Sequence, residues 1–216
     1  MAIKLIIFDF DGTLADSFEI LVKISNKLAP EFGYAPISPT ESHKLKNLSS
    51  RAIVKESKIS PLKLPFLLRR VQKELQQYQD HIASIPGITQ ALFHLKEQGY
   101  RLGIITSNSS KNVNNFLQKN SLTTLFDFVH SEINIFGKHR IIDKVLKQLN
   151  LAPTEAIYVG DETRDIKAAK RSKVHTLAVG WGFNSPDILS QYQPDFLIKH
   201  PQALSEVLAL ANRKSS

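Results

Sequence analysis

Short apolar runs alternate with stretches of helical spacing through most of this 216-residue chain, and no other feature limits its fold as much. Strand-like runs stand at 3–8, 101–106, 126–130, 156–160, 174–179 and 195–198. Helical periodicity fills 87–98, 109–119, 138–149, 162–172 and 201–212. Strands separated by helices of this length imply a mostly parallel sheet covered on both faces, because parallel neighbours need a long crossover. Strands buried on both faces read as continuous apolar runs, as Ile3, Leu5, Ile6, Ile7 and Phe8 do. The alternation stops between Ser17 and Ser84, where amphipathic helical stretches such as FEILVKISNKLAPEF and LPFLLRRVQKELQQY appear and no strand is expected. Prolines at 30, 36, 39, 61 and 65 punctuate them, and Pro86–Gly87 reads as a linker. The expected fold is therefore α/β, a Rossmann-like core of residues 1–16 and 85–216 with an all-helical insertion of residues 17–84. The tail NRKSS is expected to fray.

Composition removes several function classes. Cysteine is absent, which excludes a disulfide framework, a thiolate zinc site and a cysteine nucleophile, and fits a reducing cytoplasm. No apolar stretch is long enough to span a membrane, and the N-terminus lacks a signal-peptide pattern. The net charge is +8. Residues 17–84 hold eleven basic and six acidic residues, a surplus of +5, so the helical insertion is the more basic part. Such a field would draw a small anionic substrate. The basic residues form no tight run interleaved with aromatics, which argues against nucleic acid.

The first apolar run ends in Asp9-Phe10-Asp11-Gly12-Thr13. A buried acid is costly unless compensated, but the carboxyl end of a parallel strand is where α/β proteins bind ligands. Alone, the motif is an Asp-Gly turn. Other strand ends carry chemistry too. GIITSNSS (103–110) ends in Thr106, Ser107 and an amide, with a helix starting near Ser109 or Ser110. Hydroxyls and free helical N–H groups there suit an anion, although, taken alone, ordinary N-capping is the better reading. IFGKHRII (135–142) puts Lys138 at a helix start, where the dipole disfavours a cation. YVGDETRDI (158–166) ends in Asp161, Glu162 and Asp165. No P-loop, G-x-G-x-x-G, G-x-S-x-G or EF-hand pattern occurs, and the seven histidines show no metal spacing. Trp181 follows the fifth run, either at the rim of a site or as a loop anchor.

The ordered set DFDGT, a Thr after GII, an isolated Lys and GDETRD resembles the haloacid dehalogenase superfamily. The likeness is to its branch with a helical cap after the first motif, which includes phosphoglycolate phosphatases. The resemblance implies strand order 5-4-1-2-3 and a four-helix cap. It implies that Asp9 is the nucleophile and Asp11 the general acid and base. Mg²⁺ would be held by the Asp9 carboxylate, the Asp11 backbone carbonyl and Asp161. Thr106 and the Ser107 N–H would bind the phosphoryl oxygens. Lys138 would neutralise charge between Asp9 and phosphate, and Asp165 would hold a metal-bound water or orient Lys138. An Asp at position 11 fits phosphate-ester hydrolysis, with 2-phosphoglycolate the best substrate, or phosphomutase chemistry. A non-catalytic binding protein retaining the fold is the reading of another class, and the intact motif set argues against it. Arg51 or Lys46 could lie over an anionic substrate tail, or on a solvated helix face.

Overall fold

The computed structural model describes residues 2–60, 62–132 and 137–214. Pro61, the first two residues of the IFGKHRII stretch and the last two of the tail lie outside the described residues. Its strands are β1 (Leu5–Phe8), β2 (Ala15–Asp16), β3 (Ala83–Ser84), β4 (Arg101–Thr106), β5 (Phe128–Ser131), β6 (Ala156–Gly160), β7 (His175–Val179) and β8 (Phe196–Ile198). Six of them form one sheet in the order β5-β4-β1-β6-β7-β8, every pair parallel. This is the order the resemblance implies, extended by β8. β1 lies in the middle, with Phe8 level with Ile104 on one side and Val159 on the other.

Alternation along β1 divides the core. Ile6 and Phe8 join a cluster with Leu102, Ile104, Ile157 and Val159, covered by α5 (Ile88–Glu97), α6 (Ser110–Lys119) and α10 (Leu204–Lys214). Leu5 and Ile7 point to the other face, with Ile105, Ala156 and Tyr158, under α7 (Lys138–Leu149) and α8 (Thr163–Arg171). All four β1 residues are fully buried, each large apolar side chain contributing roughly 1.5–3 kcal/mol.

Between β2 and β3 run α1 (Phe18–Phe32), α2 (Pro39–Leu45), α3 (Ser50–Glu56) and α4 (Leu64–Leu75). Ser38 opens α2 with a capping box to Glu41 and Pro39 in the first turn, and Ser49 caps α3. Pro30 does not end α1, which runs on to Phe32 and stops at Gly33 in the left-handed conformation (φ 76°). Pro30 forfeits the bond a backbone N–H there would make to the Asn26 carbonyl, yet the helix passes it, and the glycine free to take positive φ is the terminator.

Three further expectations change. Ala83–Ser84 pairs antiparallel with Ala15–Asp16, a ribbon too short to leave a period in the sequence. α9 (Pro186–Gln191) appears after β7, started by the Ser185 cap and a first-turn proline. The tail holds its order at Asn212, which lies in α10 and accepts a 2.6 Å bond from the Ile3 N–H.

Gly103 on β4 faces Phe128 of β5, and a Cβ there would enter the Phe128 ring. Gly103→Ala should destabilise the protein by about 1–3 kcal/mol in urea unfolding. Adding Phe128→Leu should recover part of that loss. Additive losses in the double variant would show that the two side chains do not compete for space.

Candidate active site

The carboxyl ends of β1, β4 and β6 lie side by side, and the residues just past them form the site. Asp9 follows β1 directly; its N–H donates to the Val159 carbonyl at 2.8 Å, which continues the pairing one residue beyond the strand. The Asp9 carboxylate is 2% exposed. Its Oδ1 accepts from the Phe10 N–H at 2.7 Å, and its Oδ2 lies 2.5 Å from the Lys138 ammonium. Beyond this ion pair, Oδ2 has no hydrogen-bond partner among the described residues. Lys138, the first residue of α7, also donates to Asp165 Oδ1 at 2.7 Å. Burial pulls the Lys138 ammonium toward neutrality, but Asp165 and then Asp9 overcome it and hold its pKa well above the ordinary lysine value.

Asp161, just after β6, is fully buried. Thr13 Oγ1 donates to its Oδ1 and the Phe183 N–H to its Oδ2, both at 2.7 Å. Burial, then the charges of Glu162, Asp9 and Asp165, push its carboxyl well above the usual range, against the Phe183 bond. Gly12 and Gly182 enclose it: a Cβ on either would collide with the Asp161 carboxylate. Gly12 also needs its glycine because its φ is +75°. Asp9, Asp161 and Asp165 each bring one carboxylate oxygen within 4.8 Å of the others, all buried. Hard oxygen ligands gathered this closely and surplus negative charge fit a divalent cation such as Mg²⁺. No histidine joins such a cluster among the described residues.

The Asp11 carboxylate faces elsewhere. Ser17 Oγ and Asn108 Nδ2 each donate to it at 2.9 Å. Burial raises its pKa to about 6; the Ser17 bond opposes the rise, the Asp9 charge adds to it, and the Asn108 bond opposes it again. Asn108 ties Asp11 to the end of β4, since its own N–H donates to Thr106 Oγ1 at 3.0 Å. Asn108 Oδ1 accepts from Asn112 Nδ2 on α6, and Asn112 in turn donates to the Gln72 carbonyl of α4. The Ser107 carbonyl accepts from Gln72 Nε2 at 2.5 Å. Asn108, Asn112 and Gln72 were not singled out from the sequence. The amide in SNSS was the only signal of Asn108. Gln72 sits on an exposed-looking helix and leaves none.

Asp9, Asp161, Asp165 and Lys138 are thus brought into one cluster, and Asn108 joins Asp11 to Thr106 beside it. Ser107 adjoins Thr106. Trp181 donates to the Thr13 carbonyl at 3.2 Å, which makes it an anchor beside the site. Lys46 lies 4.3 Å over the Phe18 ring. Arg51 lines a separate groove, with Lys55 and Lys167, between α3 and α8.

Residues 6–179 match the family described as haloacid dehalogenase-like hydrolase. The chain belongs to that family. It is a phosphatase of the haloacid dehalogenase-like hydrolases. It is 38% identical over 209 residues to a phosphoglycolate phosphatase of Synechococcus elongatus, across 97% of this chain and 99% of that protein. It is 28% identical over 217 residues to the pyrophosphatase PpaX of Bacillus cereus, across 99% of this chain and 100% of that protein. In fold it is similar to the crystal structure of a predicted phosphatase from Clostridium acetobutylicum, with a TM-score of 0.83 and 20% identity over 97% of this chain and 99% of the other. Among the described residues no helix is long and apolar enough to cross a membrane.

Asn108 donates to the Asp11 carboxylate and so favours its ionised form. In metal-free Asn108→Ala the Asp11 carboxyl should titrate above about 6, the value set with both donors in place. Carboxyl ¹³C NMR would read the shift; an unchanged titration would show that Asn108 does not govern this group.

Proposed function

We propose that the protein is a Mg²⁺-dependent phosphatase that hydrolyses a small phosphorylated metabolite, 2-phosphoglycolate above all, through an aspartyl-phosphate on Asp9. The observation that carries this reading is the buried Asp9 carboxylate, 2.5 Å from a lysine and clustered with Asp161 and Asp165. The 38% identity to a phosphoglycolate phosphatase supports the substrate. The absence of cysteine supports a cytoplasmic site of action. Residues 17–84 serve as a cap that selects the substrate, over a core formed by residues 1–16 and 85–216.

The steps follow from the side chains. The Asp9 carboxylate attacks phosphorus in line with the leaving oxygen, and the P–O ester bond breaks. Asp11, neutral in part near pH 6, gives its proton to that oxygen. Asp11, now a carboxylate, takes a proton from water, which attacks phosphorus; phosphate leaves and Asp9 is regenerated. Thr106 and the Ser107 N–H bind the phosphoryl oxygens, and Lys138 shields Asp9 from their charge. Asp9, Asp161 and the Asp11 carbonyl would hold Mg²⁺, which supplies positive charge against the developing negative charge, while Asp165 orients Lys138.

The test is phosphate release from 2-phosphoglycolate within a panel of monoesters. EDTA should abolish release and Mg²⁺ restore it. Failure to release phosphate from any ester in the panel would refute the assignment.

The two acids should separate. Asp9→Asn should form no acid-stable phosphoenzyme and turn over nothing. Asp11→Asn should lose about 10²–10⁴-fold in rate on an alkyl phosphate, the usual worth of a positioned proton transfer. Its loss should be smaller on p-nitrophenyl phosphate, whose leaving group needs little protonation. Equal losses on both esters would remove Asp11 from proton transfer.

A further inference from the structure

Arg164 is the second residue of α8, three positions after Asp161. Its side chain is 12% exposed. The guanidinium Nε donates to Glu162 Oε1 at 2.8 Å, and Nη2 donates to the same oxygen. Nη1 is shut away from solvent and has no hydrogen-bond partner among the described residues. A guanidinium carries five N–H donors in a rigid fork. Glu162 takes two of them along one side, which leaves both Nη1 hydrogens and the outer Nη2 hydrogen along the adjoining edge.

The guanidinium lies beside the catalytic cluster: Arg164 stands in the first turn of α8 between Asp161 and Asp165, and its charge is felt by Asp11, Asp165 and Lys138. The placement is unfavourable on local grounds. The first turn of a helix disfavours a cation, and a buried donor without a partner is destabilising. Both penalties are relieved if an anionic oxygen arrives at Nη1. The phosphoryl group that Asp9 attacks already has Lys138 and the start of α6 beside it, so the free edge is left for a different part of the substrate.

We propose that Arg164 is a specificity-determining residue that grips a second anionic group on the leaving side of the substrate, a carboxylate or a further phosphate, through the Nη1 edge left free by Glu162. This rests on the phosphatase reading above, and 2-phosphoglycolate carries such a carboxylate one carbon from its ester oxygen. A fork of parallel N–H donors matches a carboxylate or a phosphate and gains nothing from a neutral hydroxyl. Arg164 thereby adds, from the core side, a preference for esters with an anionic tail to the selection made by the cap, while Asp9 and Asp11 set the reaction.

The test is the ratio of kcat/KM for 2-phosphoglycolate to that for 2-hydroxyethyl phosphate, an ester of similar size with a neutral tail. In Arg164→Gln the ratio should fall about 10²-fold, as expected when a buried polar recognition group is lost. Arg164→Lys keeps the charge without the fork and should recover part of it. It also provides the reading if the glutamine variant does not fold. Pyrophosphate is the third substrate: a ratio that falls for pyrophosphate and not for 2-phosphoglycolate assigns the edge to a phosphate, and the reverse assigns it to a carboxylate. Equal losses on all three substrates would overturn the proposal, because Arg164 would then serve the transferred phosphoryl group or the fold alone. A wild-type protein that hydrolyses none of them fails the phosphatase reading instead, and the Arg164 assignment falls with it.

Discussion

Lys138 places a full positive charge where both burial and the start of α7 oppose one. It stays charged because Asp9 lies 2.5 Å and Asp165 2.7 Å from its ammonium. The dependence runs both ways. Burial raises Asp165 to about 6 even with Lys138 pulling it down, and without the ammonium two buried carboxylates would be left, among the described residues, with the Arg164 charge alone to offset them. Removing one member of such a set costs more than the set contributes, because the partners are left charged in a medium that cannot solvate them. Among the described residues the ion pair with Lys138 is the one polar contact of Asp9 Oδ2, while Oδ1 is held by the Phe10 N–H.

The parallel sheet makes this clustering possible. Asp9, Thr106 and Asp161 are separated by long stretches of chain, yet each stands at or just past the carboxyl end of a strand, and the three strands are immediate neighbours with β1 between β4 and β6. Helices that follow the strands then bring their first residues to the same end, Lys138 from α7 and Asp165 from α8. Acids gathered this way exceed the two cations beside them. Asp161 carries part of the excess: burial first, and then the charges of Glu162, Asp9 and Asp165, push its carboxyl far up although the Phe183 N–H donates to it. A divalent cation is the simplest remedy for that surplus.

The parts legible in the sequence were those whose signal is local and repeated. The six sheet strands are apolar runs, and the helices after them, α9 excepted, carry apolar positions at helical spacing, so both are legible to within a few residues. Asp9, Asp11 and Asp161 stand out because each interrupts an apolar run where it ends, and Lys138 because a cation opens a helix. The β2–β3 ribbon was not, since each strand holds two residues and exists only through its partner across the helical segment. Asn108 and Asn112 were hidden for another reason. Each sits in a polar helix start, where capping explains an amide, and only the folded chain shows Asn108 turned onto Asp11. Gln72 belongs to α4, and nothing in its surroundings in sequence points to the Ser107 carbonyl it reaches.

The loop after β7 joins the acid cluster to the helical segment. Its Phe183 N–H donates to Asp161, and Phe183 packs edge-to-face on Phe18 of α1 with ring centres 5.3 Å apart. Asn184, 2% exposed, accepts from the Thr163 N–H that opens α8 and donates to the Leu48 carbonyl between α2 and α3. Ser185 adds a 2.8 Å bond from its N–H to the Lys46 carbonyl. One short loop therefore fixes the Asp161 carboxylate and docks the 46–48 turn. Gly182 sits at its centre because a side chain there would strike Asp161. On the opposite side Gln72 holds the Ser107 carbonyl and, through Asn112, the amide that orients Asp11. The helical segment thus touches the site at two places, one beside Asp161 and one behind Asp11. Lifting it would break the hydrogen bonds that tie it to the 183–185 loop beside Asp161 and to Ser107 and Asn112 behind Asp11.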